Sequence, residues 1–150
     1  MEIILKNIDE TEAFAKSLTN LVSVLKNDDK AVVVAIHGDL GAGKTTLVQF
    51  VAKELGVEDR LQSPTFVIQK NYSISKGDFK KLVHIDAYRI ENPEEFRMLK
   101  LEDTLKEKDN LIMVEWPKQG GEFFKDSSLE VFLEFVDENI RKVRLQKNEN

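Results

Sequence analysis

The sequence predicts an α/β fold: a mostly parallel central sheet flanked by helices, with a β-hairpin and antiparallel strands toward the C-terminal end. Three observations predict it. Residues 31–37 (AVVVAIH) are almost wholly apolar and β-branched, as suits a strand buried on both faces of a parallel sheet. Glycines at 38, 41 and 43 follow at once, and residues 45–55 then return to helical period with Leu47, Val48, Val51 and Leu55 on one face. Two later apolar runs, LVHID and LIMVE, each end on an acid and read as further strands of the same sheet.

The other elements follow in order. Residues 1–8 read as a short edge strand. Asp9 offers a helix N-cap with Glu12 three positions later, the capping-box spacing. Phe14, Leu18, Leu21, Val22 and Leu25 recur at helical spacing, which predicts an amphipathic helix over 10–26. Residues 27–30 are a polar break, and Gly56 sits where a helix C′ residue belongs. Residues 62–64 mark a loop, 65–74 a strand, 75–78 a turn and 80–86 a second strand, which together predict the hairpin. Pro93 opens a helical stretch through about residue 105, with Phe96, Leu99 and Leu105 facing inward. Residues 111–116 form a strand closed by Pro117, Gly120 and Gly121 break the pattern, and residues 129–135 and 140–145 read as a final strand pair. Residues 148–150 are expected to fray. With no repeat, low-complexity stretch or linker, residues 1–150 read as a single domain.

Composition narrows the chemistry. The chain has 150 residues, 41% hydrophobic and 33% charged, enough for one core and too short for a second catalytic domain. Its net charge of -5 argues against non-specific binding to nucleic acid or anionic membrane, so an RNA contact needs a local basic patch or a partner. The absence of cysteine excludes disulfides, thiolate metal sites and cysteine nucleophiles. Only two histidines, His37 and His84, argue against a histidine-based zinc site. The longest apolar run, residues 31–36, is far too short for a membrane span, and the first residues lack a signal-peptide pattern. The expectation is a cytoplasmic protein, without membrane business, whose chemistry rests on carboxylates, hydroxyls, lysine or a hard metal ion.

The strongest motif is Gly38-Asp39-Leu40-Gly41-Ala42-Gly43-Lys44-Thr45, a full match to G-x-x-x-x-G-K-[ST] between a strand and a helix. The glycines let phosphate oxygens approach backbone N–H groups, and the helix that follows adds its N-terminal partial positive charge. Lys44 reaches the β- and γ-phosphates, and the Thr45 hydroxyl ligates Mg²⁺. The fold class sharpens accordingly to a P-loop NTPase-like one.

Such a loop needs an acid at a neighbouring strand end to complete the metal shell. Asp86 and Glu115 both stand there, since ligands of open α/β sheets lie outside the carboxyl ends of the strands. Spacing leaves open which of them binds metal and which orients the attacking water. Ser63-Pro64-Thr65 supplies a loop hydroxyl placed to sense the γ-phosphate. Arg89 stands either for phosphate neutralisation or for a surface ion pair, and Trp116 either for packing or for a nucleotide or partner contact.

In this order GDLGAGKTTL, SPTF, HIDAYR and VEWP resemble the TsaE (YjeE) family of small bacterial P-loop ATPases, over nearly the whole chain. The resemblance implies ATP hydrolysis with Mg²⁺ in threonylcarbamoyladenosine biosynthesis, within a complex with the TsaB and TsaD proteins. TsaD would perform the transfer to tRNA, which this chain would meet only through the complex. Carried over by motif, Gly38, Asp39, Leu40, Gly41, Ala42, Gly43, Lys44, Thr45 and Thr46 bind the phosphates, and Thr45 and Glu115 ligate Mg²⁺. Thr65 belongs to a switch-like segment, Asp86 acts in hydrolysis alongside Lys44, and Thr11 contacts the nucleotide base. Lys118 follows VEWP and is counted with the nucleotide contacts, although family members often carry an acid or glutamine there.

Other readings are a small-molecule kinase with Arg89 and Arg97 as phosphate clamps, and a nucleotide-gated binding module that never turns over alone. No N-K-x-D guanine motif and no LSGGQ signature is present, which argues against a GTPase and an ABC-type ATPase.

Overall fold

In the computed structural model, which describes residues 1–59, 61 and 68–148, the strands form one seven-stranded sheet. In chain order the elements are β1 (Glu2–Leu5), α1 (Ile8–Leu25), β2 (Val32–His37), α2 (Lys44–Glu54), β3 (Gln69–Ser73), β4 (Lys81–Asp86), α3 (Glu95–Met98), α4 (Leu101–Lys106), β5 (Asn110–Glu115), a 3-10 segment (Pro117–Phe124), β6 (Leu129–Phe135) and β7 (Arg141–Lys147). Spatial order is β1-β7-β6-β2-β5-β4-β3. The β2–β5, β2–β6 and β4–β5 pairs are parallel, and the outer pairs β1–β7, β6–β7 and β3–β4 are antiparallel. The expected mixed sheet, with its hairpin (β3–β4) and antiparallel C-terminal strands, is the one observed.

Alternation along β2 divides the core. Val32, Val34 and Ile36 face α1 and α2 together with Leu18, Leu47, Val51, Leu111 and Met113. Val33 and Ala35 face the other way, toward Phe96, Leu101 and Phe124. A strand so covered must be apolar on both faces, which is why residues 31–36 read as an unbroken run. Because β2, β4 and β5 run in parallel, their carboxyl ends meet at one rim of the sheet.

Four local expectations change. The cap of α1 is Asn7, not Asp9: its side chain accepts from the Glu10 N–H at 2.9 Å, and the Glu10 carboxylate returns to the Lys6 N–H at 3.3 Å. The first strand therefore ends at Leu5. The helix expected over 93–105 is broken in two at Lys100, which adopts a left-handed φ of 57°. Phe96 and Leu101 are both fully buried in one cluster, yet five positions along a continuous helix would point them roughly 140° apart. Breaking the helix puts both inside and turns Leu99 outward, 37% exposed rather than facing the core. Finally, Asn148 does not fray: its side-chain amide donates to the Ser127 carbonyl at 2.8 Å. Among the described residues no helix is long and apolar enough to cross a membrane.

Candidate functional site

β2 delivers the chain into the glycine loop at the sheet rim. Gly38 has φ 156°, and a Cβ there would lie 2.7 Å from the Leu133 carbonyl oxygen, so β6 packs directly on its backbone. Gly43, at φ 101°, is the N-cap of α2 and turns the loop into the helix. Lys44 opens α2 and folds back over the loop. Its Nζ donates to the carbonyls of Gly38 (2.5 Å) and Asp39 (2.9 Å), with the Trp116 ring 4.2 Å away. Trp116 leaves β5 in a left-handed conformation (φ 57°), which carries the chain out of the sheet immediately after Glu115. Burial holds the Lys44 ammonium below the usual lysine range, against the opposing pull of Glu115, Asp86 and Asp39.

The acids arrive by strand alternation. Positions 84 and 86 of β4 share a face, and the parallel register pairs Asp86 with Glu115 of β5. Glu115 is buried, and the Thr45 hydroxyl meets both of its carboxylate oxygens, at 2.9 and 3.0 Å. His84 Nε2 lies 2.6 Å from Glu115 Oε2; a carboxylate only accepts, so Nε2 carries the proton. Asp86 is buried as well, and its Oδ1 accepts from the Tyr88 N–H at 3.0 Å.

These groups open into a cavity of about 500 Å³ walled by Gly41, Gly43, Lys44, Thr45, Asp86 and Glu115, with Arg89, Trp116 and Arg141 at its sides. A second cavity of about 250 Å³ contains Thr11 and shares Gly43, Thr46 and Arg141 with the first. Ala42 is buried between them, and its carbonyl accepts from Arg141 Nε at 3.1 Å. Leu40 stands at the loop apex, 69% exposed. Lys118 lines neither cavity; it shares a third, of about 360 Å³, with His37, Gly38 and Asp39. Arg97 is tied to Glu94 and Glu102 and packs by Phe123, so it does not join Arg89 at the cavity of the glycine loop. Thr65 lies outside the described residues.

Two residues escaped the sequence reading. His84 could have been found from alternation, being two positions before Asp86 on a strand. Arg141 could not, because only the pairing of β7 with the distant strands β6 and β1 brings it to the loop. Chemically, backbone N–H groups, a helix N-terminus and a lysine offer one wall for phosphate oxygens. A hydroxyl and two carboxylates opposite form a hard-oxygen donor set of the kind that holds Mg²⁺ together with waters and phosphate oxygens.

Comparison with known proteins identifies the family. The model of the family described as threonylcarbamoyl adenosine biosynthesis protein TsaE matches residues 5–143. The tRNA threonylcarbamoyladenosine biosynthesis protein TsaE of Haemophilus influenzae is 30% identical over 140 residues, covering 90% of this chain and 85% of that protein. The Aquifex aeolicus protein of the same name is 32% identical over 148 residues, covering 97% of this chain and 96% of that protein. The crystal structure of Bacillus subtilis YdiB superposes with a TM-score of 0.71 at 27% identity, covering all of this chain and 86% of that one. Family model, relatives and fold converge: the chain belongs to the TsaE family and serves threonylcarbamoyladenosine biosynthesis in tRNA.

Proposed function

We propose that this protein is an Mg²⁺-dependent ATP-binding and hydrolysing subunit that acts on a TsaB–TsaD complex and does not itself transfer the threonylcarbamoyl group. The observation that carries the reading is the union, in one cavity, of Lys44 on its own loop carbonyls with the hydrogen-bonded Thr45–Glu115 pair. The loop N–H groups and Lys44 bind the β- and γ-phosphates. Thr45 and Glu115 would hold Mg²⁺, which supplies charge neutralisation to the phosphates. Asp86 orients the attacking water from the adjacent strand end, its carboxylate steadied by the Tyr88 N–H. The cavity around Thr11 takes the nucleoside, since it meets the phosphate cavity at Gly43, Thr46 and Arg141. Thr65 as a switch residue and Lys118 as a nucleotide contact rest on the family resemblance alone.

The kinase reading loses support from the geometry, because Arg97 is occupied away from the cavity. Slow hydrolysis alone and faster hydrolysis with partners belong to this reading, as for P-loop enzymes in which a group supplied in trans stabilises the transition-state charge. The test is a pull-down from cell extract in ATP and in ADP, followed by phosphate release with the partners recovered. TsaB and TsaD retained in a nucleotide-dependent way, with faster phosphate release than from the protein alone, is the expected outcome. Phosphate accumulating on a third compound instead of in solution would establish the kinase.

A further inference from the structure

We infer that His84 is a positioning residue for the metal side of the site, orienting the Glu115 carboxylate for Mg²⁺ that arrives with a nucleotide. The inference rests on the nucleotide–Mg²⁺ reading above and deepens it. Thr45 has one hydroxyl proton, which spans both Glu115 oxygens at 2.9 and 3.0 Å and so cannot by itself fix the carboxylate's rotation. The short bond from His84 Nε2–H selects Oε2. Oε1 is then left, among the described residues, with only its share of the Thr45 contact.

The burial of His84 points to this task over packing. The ring is fully buried at the middle of β4, between Val83 and Ile85, which face the opposite layer. Its Nδ1 is buried and has no hydrogen-bond partner among the described residues. A leucine or methionine at the same position would fill the space with no polar atom left unpaired. What the imidazole adds at that position is the Nε2 donor, and Glu115 receives it. Metal-binding carboxylates are commonly held by such outer hydrogen bonds, whose loss typically costs ten- to a hundredfold in metal affinity.

The test measures ADP affinity by calorimetry with Mg²⁺ and with EDTA, for wild type, His84→Gln and His84→Asn. A glutamine amide reaches the place of Nε2; an asparagine amide reaches only that of Nδ1. The expected result is that Mg²⁺ tightens ADP binding to wild type and to His84→Gln alike, whereas the enhancement shrinks by about tenfold in His84→Asn. Affinity in EDTA stays within about twofold across the three proteins, a pattern that general loosening of the fold does not produce. An enhancement retained in full by His84→Asn, or an equal loss in Mg²⁺ and EDTA, overturns the positioning role while leaving the nucleotide reading intact. Absence of any Mg²⁺ effect in wild type overturns that reading, and this inference with it.

Discussion

Among the described residues, the buried side chains that carry charge or polarity are few, and they are not scattered. Lys44, His84, Asp86 and Glu115 converge at the glycine loop, whereas Asn110 and Ser127 bond to neighbouring backbone and side-chain groups at segment ends. Taking a charge out of water is costly unless hydrogen bonds and an opposite charge compensate it, so this concentration of buried polarity marks the place where function constrains packing. His37 shows the same accounting just before the loop. It stacks on Phe132, with ring centroids 4.4 Å apart and planes 8° from parallel, and meets Glu130 at 3.1 Å. Burial lowers its pKa below the ordinary histidine value of 6.5; the Glu130 hydrogen bond and charge oppose the shift, and Lys118 and Arg144 reinforce it. The unfolded chain therefore takes up a proton near pH 6.5 that the folded chain refuses until lower pH, so this contribution to stability is present above that pH and lost as pH falls toward the folded-state pKa. Denaturant unfolding of wild type and His37→Gln at pH 7.5 and 5 should show the smaller pH-dependent loss in the variant. A larger loss in His37→Gln would contradict the assignment.

Elements were most legible where one physical demand acted alone. β2 and β5 had to be apolar on both faces and read so; the glycine loop had to bend sharply between strand and helix and read so. The ends and breaks were less legible because local chemistry offered competing solutions. Asn7 and Asp9 are both good cap residues, each with a glutamate three positions on, and only packing of Phe14 and Leu18 against the sheet decides the phase of α1. Asn7→Ala should then cost about 0.5–2 kcal/mol in chemical denaturation, whereas Asp9→Ala should stay within about 0.5 kcal/mol. The reverse order would restore the cap at Asp9. At Lys100 the helical period continued in the sequence, but the demand to bury both Phe96 and Leu101 outweighed it. The strands' carboxyl ends placed Asp86 and Glu115 correctly from order alone, since a parallel sheet sends such ends to one rim. Arg141 and Lys118 depend on how distant segments fold back, which no local pattern encodes.

At the scale of the whole molecule, a net charge of -5 and an open cavity lined by a lysine and backbone N–H groups point in different directions unless the protein works through others. An acidic surface gives little general affinity for RNA, while the proposed role of the loop is to attract a phosphate locally. On the reading proposed above, a chain of this family serves tRNA modification without gripping tRNA itself, contributing a nucleotide-dependent step to a larger assembly. The most direct measurement of that claim is phosphate release by wild type and Lys44→Ala, each alone and reconstituted with TsaB and TsaD. The account predicts that the partners accelerate the wild type and that Lys44→Ala loses the accelerated rate by at least about a hundredfold, as removal of a principal phosphate donor should. Full partner-stimulated hydrolysis by Lys44→Ala would contradict it.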